Sequence, residues 1–243
     1  MICGYVAKNP AEDGIPLFNS AALFEDGDIL HQANKRLLPT YDVFDESRYF
    51  EPGRQCSAYA YKNHKIGLTI CEDVWTDREL FKRLRYHMDP VELLVNDGAD
   101  ILINVSASPF HVGKIAFRWN MHAAAAKKFQ IPFIFANQVG GNDSVLFDGN
   151  TAAYDAHGNI VAQARDFEED LIVYDLNNAT GDMRPTAQSD TESILKALVM
   201  GTRDYVTKCG FSKVVVGLSG GIDSAVTVGI AVRALGKQNV STV

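Results

Sequence analysis

A cysteine that stands where a buried strand should end is the most chemically suggestive feature of this chain. In Gly67-Leu68-Thr69-Ile70-Cys71-Glu72-Asp73-Val74-Trp75 the apolar, β-branched run from Ile66 to Ile70 has the character of a buried strand. It stops at a thiol, two acids and a tryptophan. In open α/β folds reacting groups collect where strands end, because the backbone turns there and side chains face a crevice. Cys71 is therefore a candidate nucleophile. Its plainer reading is a small buried hydrophobe. Glu72 and Asp73 by themselves oppose a thiolate by like charge, so a cation is needed nearby. Lys35, at the end of Ile29-Leu30-His31-Gln32-Ala33-Asn34-Lys35, is the candidate. A buried lysine beside a thiol favours the thiolate and can hold a developing oxyanion; a strand-end lysine is otherwise a solvated edge residue.

A second constellation is Gly217-Leu218-Ser219-Gly220-Gly221-Ile222-Asp223-Ser224. It follows the apolar triplet Val214-Val215-Val216 and precedes a helical stretch, the setting a phosphate-binding loop requires. Paired glycines let backbone N–H groups approach an anion, and the helix start adds partial positive charge. It is not the G-x-x-x-x-G-K-[ST] loop. Asp223 either serves magnesium or caps the helix.

Several elements must position these groups. Strands are expected at Ile2 to Ala7, Phe18 to Phe24, Ile29 to Lys35, Ser57 to Tyr61, Ile66 to Ile70, Ile101 to Val105 and Pro132 to Ala136, with Glu25-Asp26-Gly27-Asp28 as a hairpin turn. A further hairpin is expected around Gly158, and Leu171 to Leu176 follows it. Helices are expected over 77–86, over 91–96 after the Asp89-Pro90 start signal, and over 115–129, with Ala123 to Ala126 as a close-packing face. Hairpins at the margins and strand–helix alternation inside predict two facing sheets backed by helices, an α-β-β-α sandwich in the α/β class. Residues 177–190, rich in Gly, Pro, Ser and Asn, read as a linker. The expected units are 1–178, the linker at 179–190, and the start of a second α/β unit over 191–243. In that unit Thr191 to Lys208 is an expected amphipathic helix, with Ile194, Leu195, Leu198, Val199 and Tyr205 on one face, followed by the Val214 strand and a helix from Ser224 to Leu235.

Composition narrows the function. The 243 residues carry a net charge of −7 with 47% hydrophobic content, ordinary for a soluble protein. Mild acidity without a basic patch argues against nucleic acid as a partner. No apolar run reaches spanning length and no basic-then-apolar leader is present, so no membrane is expected. Cys3, Cys56, Cys71 and Cys209 are far apart with no C-x-x-C pair, which speaks for a reducing, cytoplasmic setting and against zinc or disulfides. His111 reads as a solvated loop residue and Trp75 as a packing residue. The chain opens and closes in strand-like stretches, so a fragment cut at both ends is expected.

The segment Lys35-Arg36-Leu37-Leu38-Pro39-Thr40-Tyr41, continuing through Phe44-Asp45-Glu46, Arg48-Tyr49-Phe50 and Pro52-Gly53, resembles the lysine segment of the nitrilase, or carbon–nitrogen hydrolase, superfamily. Ile70-Cys71-Glu72-Asp73-Val74-Trp75 resembles its nucleophile segment. Asn104-Val105-Ser106-Ala107-Ser108-Pro109-Phe110, with Gly113-Lys114, resembles its glutaminase branch. The resemblance implies a nitrilase-like α-β-β-α sandwich and a Glu-Lys-Cys triad that hydrolyses amides through a thioester. It implies Cys71 as nucleophile, Lys35 with a backbone N–H after Cys71 as oxyanion holder, Glu46 as a supporting glutamate, and Tyr41, Glu72, Ser108 and Lys114 as glutamine-binding. The triad glutamate should precede Lys35. Neither Glu12 nor Glu25 has the required context, so a truncated amino terminus and little turnover by the chain itself are expected.

The Ser219 to Ser224 loop resembles that of the ATP pyrophosphatases, which implies a Rossmann-like α/β unit and ATP binding by Gly217, Leu218, Ser219, Gly220, Gly221, Ile222, Asp223 and Ser224, with Mg2+ at Asp223 or Ser224. With its flanks, from Ala197 to Phe211 and from Ala231 to Gly236, and joined to a glutaminase-like part, it resembles the glutamine-dependent NAD(+) synthetase family. That implies glutamine, ATP and deamido-NAD(+) as partners, no tightly bound cofactor, and a homo-oligomer. A stand-alone amidase has no use for the glycine loop. A GMP- or asparagine-synthetase-like enzyme pairs such a loop with an unrelated glutaminase. An inactive fragment is the third alternative.

Overall fold

The computed structural model describes residues 1–41, 43–76 and 85–243. Three strands open the chain: β1 (Ile2–Lys8), β2 (Leu17–Glu25) and β3 (Asp28–Asn34), all antiparallel in the order β1-β2-β3. A second sheet holds β4 (Tyr59–Tyr61), β5 (His64–Ile70), β6 (Ile101–Ser106), β7 (Phe133–Asn137), β10 (Ala152–Tyr154) and β11 (Ile160–Gln163), in the order β11-β10-β7-β6-β5-β4. Its centre, β5-β6-β7, is parallel, and the margins are antiparallel.

The period-2 pattern decides how the layers stack. Ile66, Leu68 and Ile70 of β5 and Ile101 and Ile103 of β6 turn toward the first sheet, where they pack with Ile2, Ala21, Leu23 and Ala33. The other face of the second sheet, with Leu102, Phe133, Phe135 and Tyr154, packs against α1 (Pro90–Asn96) and α2 (Lys114–Phe129). Asp89 caps α1 by accepting the N–H groups of Val91 and Glu92, with Pro90 at the first helical position. Gly67 lies where the sheet meets α1; a Cβ there would stand 2.8 Å from Leu102 Cδ2. The described residues thus give the α, β and β layers of the expected sandwich. Most of the helix expected over 77–86 lies outside the described residues.

Between β7 and β10 stands a hairpin that the sequence pattern hides, β8 (Val139–Asn142) and β9 (Val145–Asp148). The glycines at 140 and 141 break the apolar alternation by which strands are recognised. After β11, the stretch 171–176 forms strand only at β12 (Tyr174–Asp175), with the Val173 carbonyl accepting the Asp182 N–H at 3.0 Å, and Leu171 and Val173 are exposed. The stretch 177–190 is more ordered than its composition suggests. It holds β13 (Thr180–Gly181), paired with β12, and runs beside β11 through the Gln163 N–H to Asp182 carbonyl and Arg184 N–H to Gln163 carbonyl bonds, both 2.8 Å. A sheet edge supplies partners for polar backbone, which composition does not register.

The last part comprises α3 (Asp190–Lys208), β14 (Val214–Val216), α4 (Ile222–Leu235) and β15 (Val240–Thr242), the two strands pairing in parallel. Ser189 caps α3. The buried face of α3 is Ser193, Ala197, Met200 and Val206; of the expected packing face, Ile194, Leu198 and Tyr205 are exposed and Leu195 and Val199 are half-buried. Ala197 and Met200 pack with Phe167, Val139 and Leu146, and the hairpin comes close enough that a Cβ on Gly201 would stand 2.9 Å from Leu146 Cδ2. The fourth helix begins at Ile222 with Gly221 as its cap, two residues before the expected start.

Candidate active site

The end of β5 turns sharply. Cys71 opens a short 3-10 turn, Cys71–Val74, with φ of 43°, in the left-handed region that costs a side-chain-bearing residue roughly 1–2 kcal/mol. The residue is half-buried and packs at the margin of the cluster formed by Ala21, Leu68 and Ile70. Its backbone carbonyl accepts a bond from Asn104 Nδ2 at 3.4 Å, and the same amide donates to Thr69 Oγ1 at 3.0 Å.

Lys35 is 1% exposed. Its backbone is held on both sides, by its own N–H to the Asn19 carbonyl and by the Gly53 N–H to its carbonyl, each 2.8 Å. Its ammonium meets Glu46 Oε1 at 2.6 Å, while Glu46 Oε2 accepts from Asn19 Nδ2 at 3.1 Å. Burial pushes the Cys71 thiol above its ordinary range. The charge of Lys35 is the strongest influence in the opposite direction, Lys114 is weaker, and Glu72 and Glu46 add to the upward push. Lys35 is thus the cation that most favours the Cys71 thiolate.

Glu72 is buried, and its Oε1 accepts the hydroxyls of Tyr41 at 2.7 Å and Tyr86 at 3.0 Å. Arg85 lies over the Tyr41 ring, 3.6 Å from its centroid. Burial, then the Glu72 carboxylate, hold the Tyr41 phenol far above its ordinary range; the same two causes act on Tyr86. Lys114, the first residue of α2, is buried, with Nζ 5.5 Å from the Trp75 ring centroid. Burial and the Arg118 charge lower its pKa, and the charges of Cys71 and Glu72 oppose them. Trp75 packs beside Phe117, with centroids 5.6 Å apart. His111 is an exposed loop residue.

Ser108 is buried, and its N–H donates to Asn137 Oδ1 at 2.9 Å. Its carbonyl accepts from Arg118 Nη1 and Asn137 Nδ2, both 3.4 Å. Its hydroxyl is unengaged among the described residues. Arg118 in turn forms a fully buried ion pair with Asp148, whose Oδ2 also accepts from Asn150 Nδ2 at 2.8 Å. This buried set, together with Tyr86, Asn104 and Asn137, escaped sequence reading. Single polar residues on strand ends and in helix interiors carry no spacing signal.

Asp73 departs most from expectation. Read as a second charge beside the thiol, it is instead an anchor for backbone. It is 3% exposed, and Oδ1 accepts the N–H groups of Arg36 at 3.0 Å and Leu37 at 2.9 Å, while Oδ2 accepts that of Ile70 at 3.1 Å. Burial raises its pKa to about 6 against the pull of those three donors and Lys35.

The glycine loop stands apart from this site. Gly217 to Asp223 are exposed, Gly220 has φ of 84°, and α4 starts without a side-chain cap. Asp223 therefore lies in the first turn and is not the cap. Its carboxylate has no hydrogen bond or ion pair among the described residues. The Ser224 hydroxyl donates to the Gly221 carbonyl at 3.0 Å and lies 3.2 Å from that of Ser219. The Leu218 N–H reaches the Val243 carbonyl at 2.8 Å. Among the described residues no three His, Cys, Asp or Glu side chains gather as a metal site, and no helix is long and apolar enough to cross a membrane.

Comparison with known proteins follows this division. Residues 194–243 match the NAD synthase family. A glutamine-dependent NAD(+) synthetase of Synechocystis sp. is 46% identical over 229 residues, covering 92% of this chain and 41% of that protein. One from Acinetobacter baylyi is 38% identical, covering 100% and 43%. The structure of a glutamine-dependent NAD+ synthetase from Acinetobacter baumannii, in complex with ADP, superposes with a TM-score of 0.87 at 38% identity, covering all of this chain and 44% of that one. A carbon–nitrogen hydrolase from Helicobacter pylori G27 gives 0.59 at 27% identity, covering 69% of this chain and 59% of that one. The chain spans less than half the length of the synthetases it matches. Residues 1–185, more than half of its length, match the carbon–nitrogen hydrolase family, and the chain belongs to that family.

Proposed function

We propose that residues 1–185 release ammonia from glutamine and that the part beginning near residue 194 belongs to an ATP-dependent synthetase that uses it. The whole protein then amidates deamido-NAD(+) to NAD(+), giving AMP, pyrophosphate and glutamate. The observation that carries this reading is the occurrence on one chain of two unlike sites. One is a thiol beside a buried lysine; the other is an exposed S-G-G-x-D-S turn that opens α4.

The Cys71 thiolate attacks the carboxamide carbon of glutamine, forming the S–C bond and placing negative charge on the carbonyl oxygen. The Lys35 ammonium and the backbone N–H of Glu72 hold that oxyanion. Collapse breaks the C–N bond, and ammonia leaves with the proton taken from the thiol. Water then attacks the thioester and glutamate departs. Glu46 fixes Lys35, and the family resemblance implies a further glutamate as the carboxylate that moves protons. Glu72, fixed by two phenols, together with Lys114 and the Ser108 hydroxyl, offers the charges and hydrogen bonds that suit the amino acid end of glutamine.

At the glycine loop, Gly217 to Ser224 are assigned to the ATP phosphates, with N–H groups of a glycine turn and a helix start suited to them. Mg2+ takes carboxylate and phosphate oxygens with several waters, and the unpartnered Asp223 carboxylate fits such an ion, with Ser224 as the alternative ligand. Bound there, the ion would neutralise phosphate charge. A cytoplasmic homo-oligomer is part of the same reading; four free cysteines agree with a reducing compartment.

The test is mass spectrometry of the chain treated with the chloromethyl ketone analogue of glutamine, beside a glutaminase assay of the chain and of the parent protein. The reading expects an adduct on Cys71, robust turnover by the parent and little by the chain. Absence of the adduct, or an adduct unaffected by excess glutamine, would overturn it.

A further inference from the structure

The two halves of the thiol–ammonium pair come from separate strands, 36 residues apart. Lys35 follows the last strand of the first sheet, and Cys71 follows a central strand of the second. Packing between sheets aligns them only to the precision of apolar contacts, whereas chemistry at an amide carbon demands placement to a few tenths of an ångström. One side chain joins the two directly. The Asp73 carboxylate takes the amides immediately after Lys35 with one oxygen and the amide immediately before Cys71 with the other. No other carboxylate among the described residues accepts backbone N–H groups from both strand ends.

We propose that Asp73 is a positioning residue: its carboxylate ties the strand end bearing Lys35 to the turn bearing Cys71 and so holds the ammonium beside the thiol. It touches no reacting atom, and the inference rests on the glutaminase reading of the site. The groups that face Asp73 are Lys35 and Arg36 from the end of β3 and Cys56 from the segment before β4, with Cys71 and Glu72 in its own turn. A polar cavity of about 160 Å³, lined among others by His31, Arg36, Cys56 and Thr69, reaches Asp73 from the side of α1. Asp73 is among the residues that line this cavity, which offers a route for its proton to exchange without unfolding. Its raised pKa belongs to a group held in this buried place for the three donors it satisfies, despite the cost of its charge.

The sign of one measurement separates positioning from direct electrostatics. Asp73→Asn removes a negative charge near the thiol; acting alone, that loss makes the thiolate easier to form. It also sets an N–H group of the amide against the Ile70 N–H, or against both Arg36 and Leu37 if the amide turns over. Positioning then fails, Lys35 draws away, and the thiolate becomes harder to form.

The experiment is the rate at which the chloromethyl ketone analogue of glutamine alkylates Cys71, followed by mass spectrometry from pH 5 to 10. The Asp73→Asn chain is expected to show a midpoint about one unit higher and labelling about tenfold slower at pH 7. In a Lys35→Met background the same substitution is expected to leave the midpoint where Lys35→Met alone puts it. A midpoint that falls or stays in Asp73→Asn, or that moves equally in the Lys35→Met background, overturns the inference. A wild-type chain that the probe does not label overturns the glutaminase reading as well, so the two failures are distinct. If Asp73→Asn does not fold, the wild-type chain answers by NMR. The amide protons of Arg36, Leu37 and Ile70 must shift together with one midpoint between pH 4 and 8. Amides that move independently, or not at all, overturn the inference.

Discussion

Lys35 and Glu46 meet at 2.6 Å although they leave different turns of the chain, and the lysine is the more deeply buried partner. A buried cation that loses its counter-ion leaves a charge in a poorly solvating place. Glu46→Ala is therefore expected to cost about 3–5 kcal/mol in urea unfolding. Lys35→Met combined with Glu46→Gln should cost less than the sum of the single changes. A sum of independent effects in that double-mutant cycle would show that the pair is not coupled.

Glu72 depends on two phenols that share one of its oxygens. Tyr41→Phe and Tyr86→Phe each remove one donor to a carboxylate, an interaction worth about 1.5–3 kcal/mol. Each is expected to weaken saturation of Cys71 alkylation by the glutamine-like probe about tenfold. The limiting rate at full saturation should stay near that of the wild type. A fall in the limiting rate with unchanged saturation would remove Glu72 from the binding role.

Two glycine-to-alanine changes should act in opposite directions. A Cβ on Gly53 would lie 2.3 Å from the Asn34 carbonyl oxygen, at the residue before Lys35. Gly53→Ala is expected to cost about 1–3 kcal/mol and to slow Cys71 labelling, because the strand end must shift. Gly229, in the interior of α4, has nothing within 4 Å of such a Cβ. Gly229→Ala is expected to stabilise by about 0.5–1 kcal/mol. Thermal unfolding of the two variants decides.

His122 is 1% exposed, stacked 4.9 Å from Phe133 and 4.3 Å from Phe135 by ring centroids. Burial, then the charge of Arg118, lowers its pKa to about 3 from an ordinary 6.5. The folded chain therefore holds it neutral, and the unfolded chain binds a proton more readily. Its contribution is complete above pH 6.5 and declines as the pH falls toward 3, by about 3 kcal/mol at pH 4. His122→Phe should flatten that acid limb in pH-dependent denaturation. An unchanged limb would assign acid sensitivity to other groups.

Much of the sandwich is legible from residues alone because its central strands are short apolar runs that end at turn signals. Ile66 to Ile70 and Ile101 to Val105 are of this kind, and each appears within two residues of its expected bounds. Helix α1 announces itself through Asp89 and Pro90. The hairpin β8–β9 does not, since Gly140 and Gly141 dilute its pattern. Helix α3 misleads: Ile194 and Leu198 invite burial, yet the side that meets Leu146 is that of Ala197, Met200 and Gly201. At the site, the thiol and the lysine stand out by type and setting, whereas the Arg118–Asp148 pair and the Asp73 anchor are products of tertiary proximity. Adjacent acids look alike in a string of letters. Glu72 and Asp73 point to different tasks only when the turn separates their side chains.

The backbone at Cys71 sits at a φ of 43°, where a residue without a side chain would rest more easily. A chain shaped by stability alone would place glycine there and lose its sulfur. Replacing Cys71 by glycine should thus make the protein harder to melt, by roughly 1 kcal/mol, while silencing it. Reactivity at this corner is held in place by the rest of the sandwich, so conditions that loosen the sandwich should extinguish chemistry before they unfold the chain.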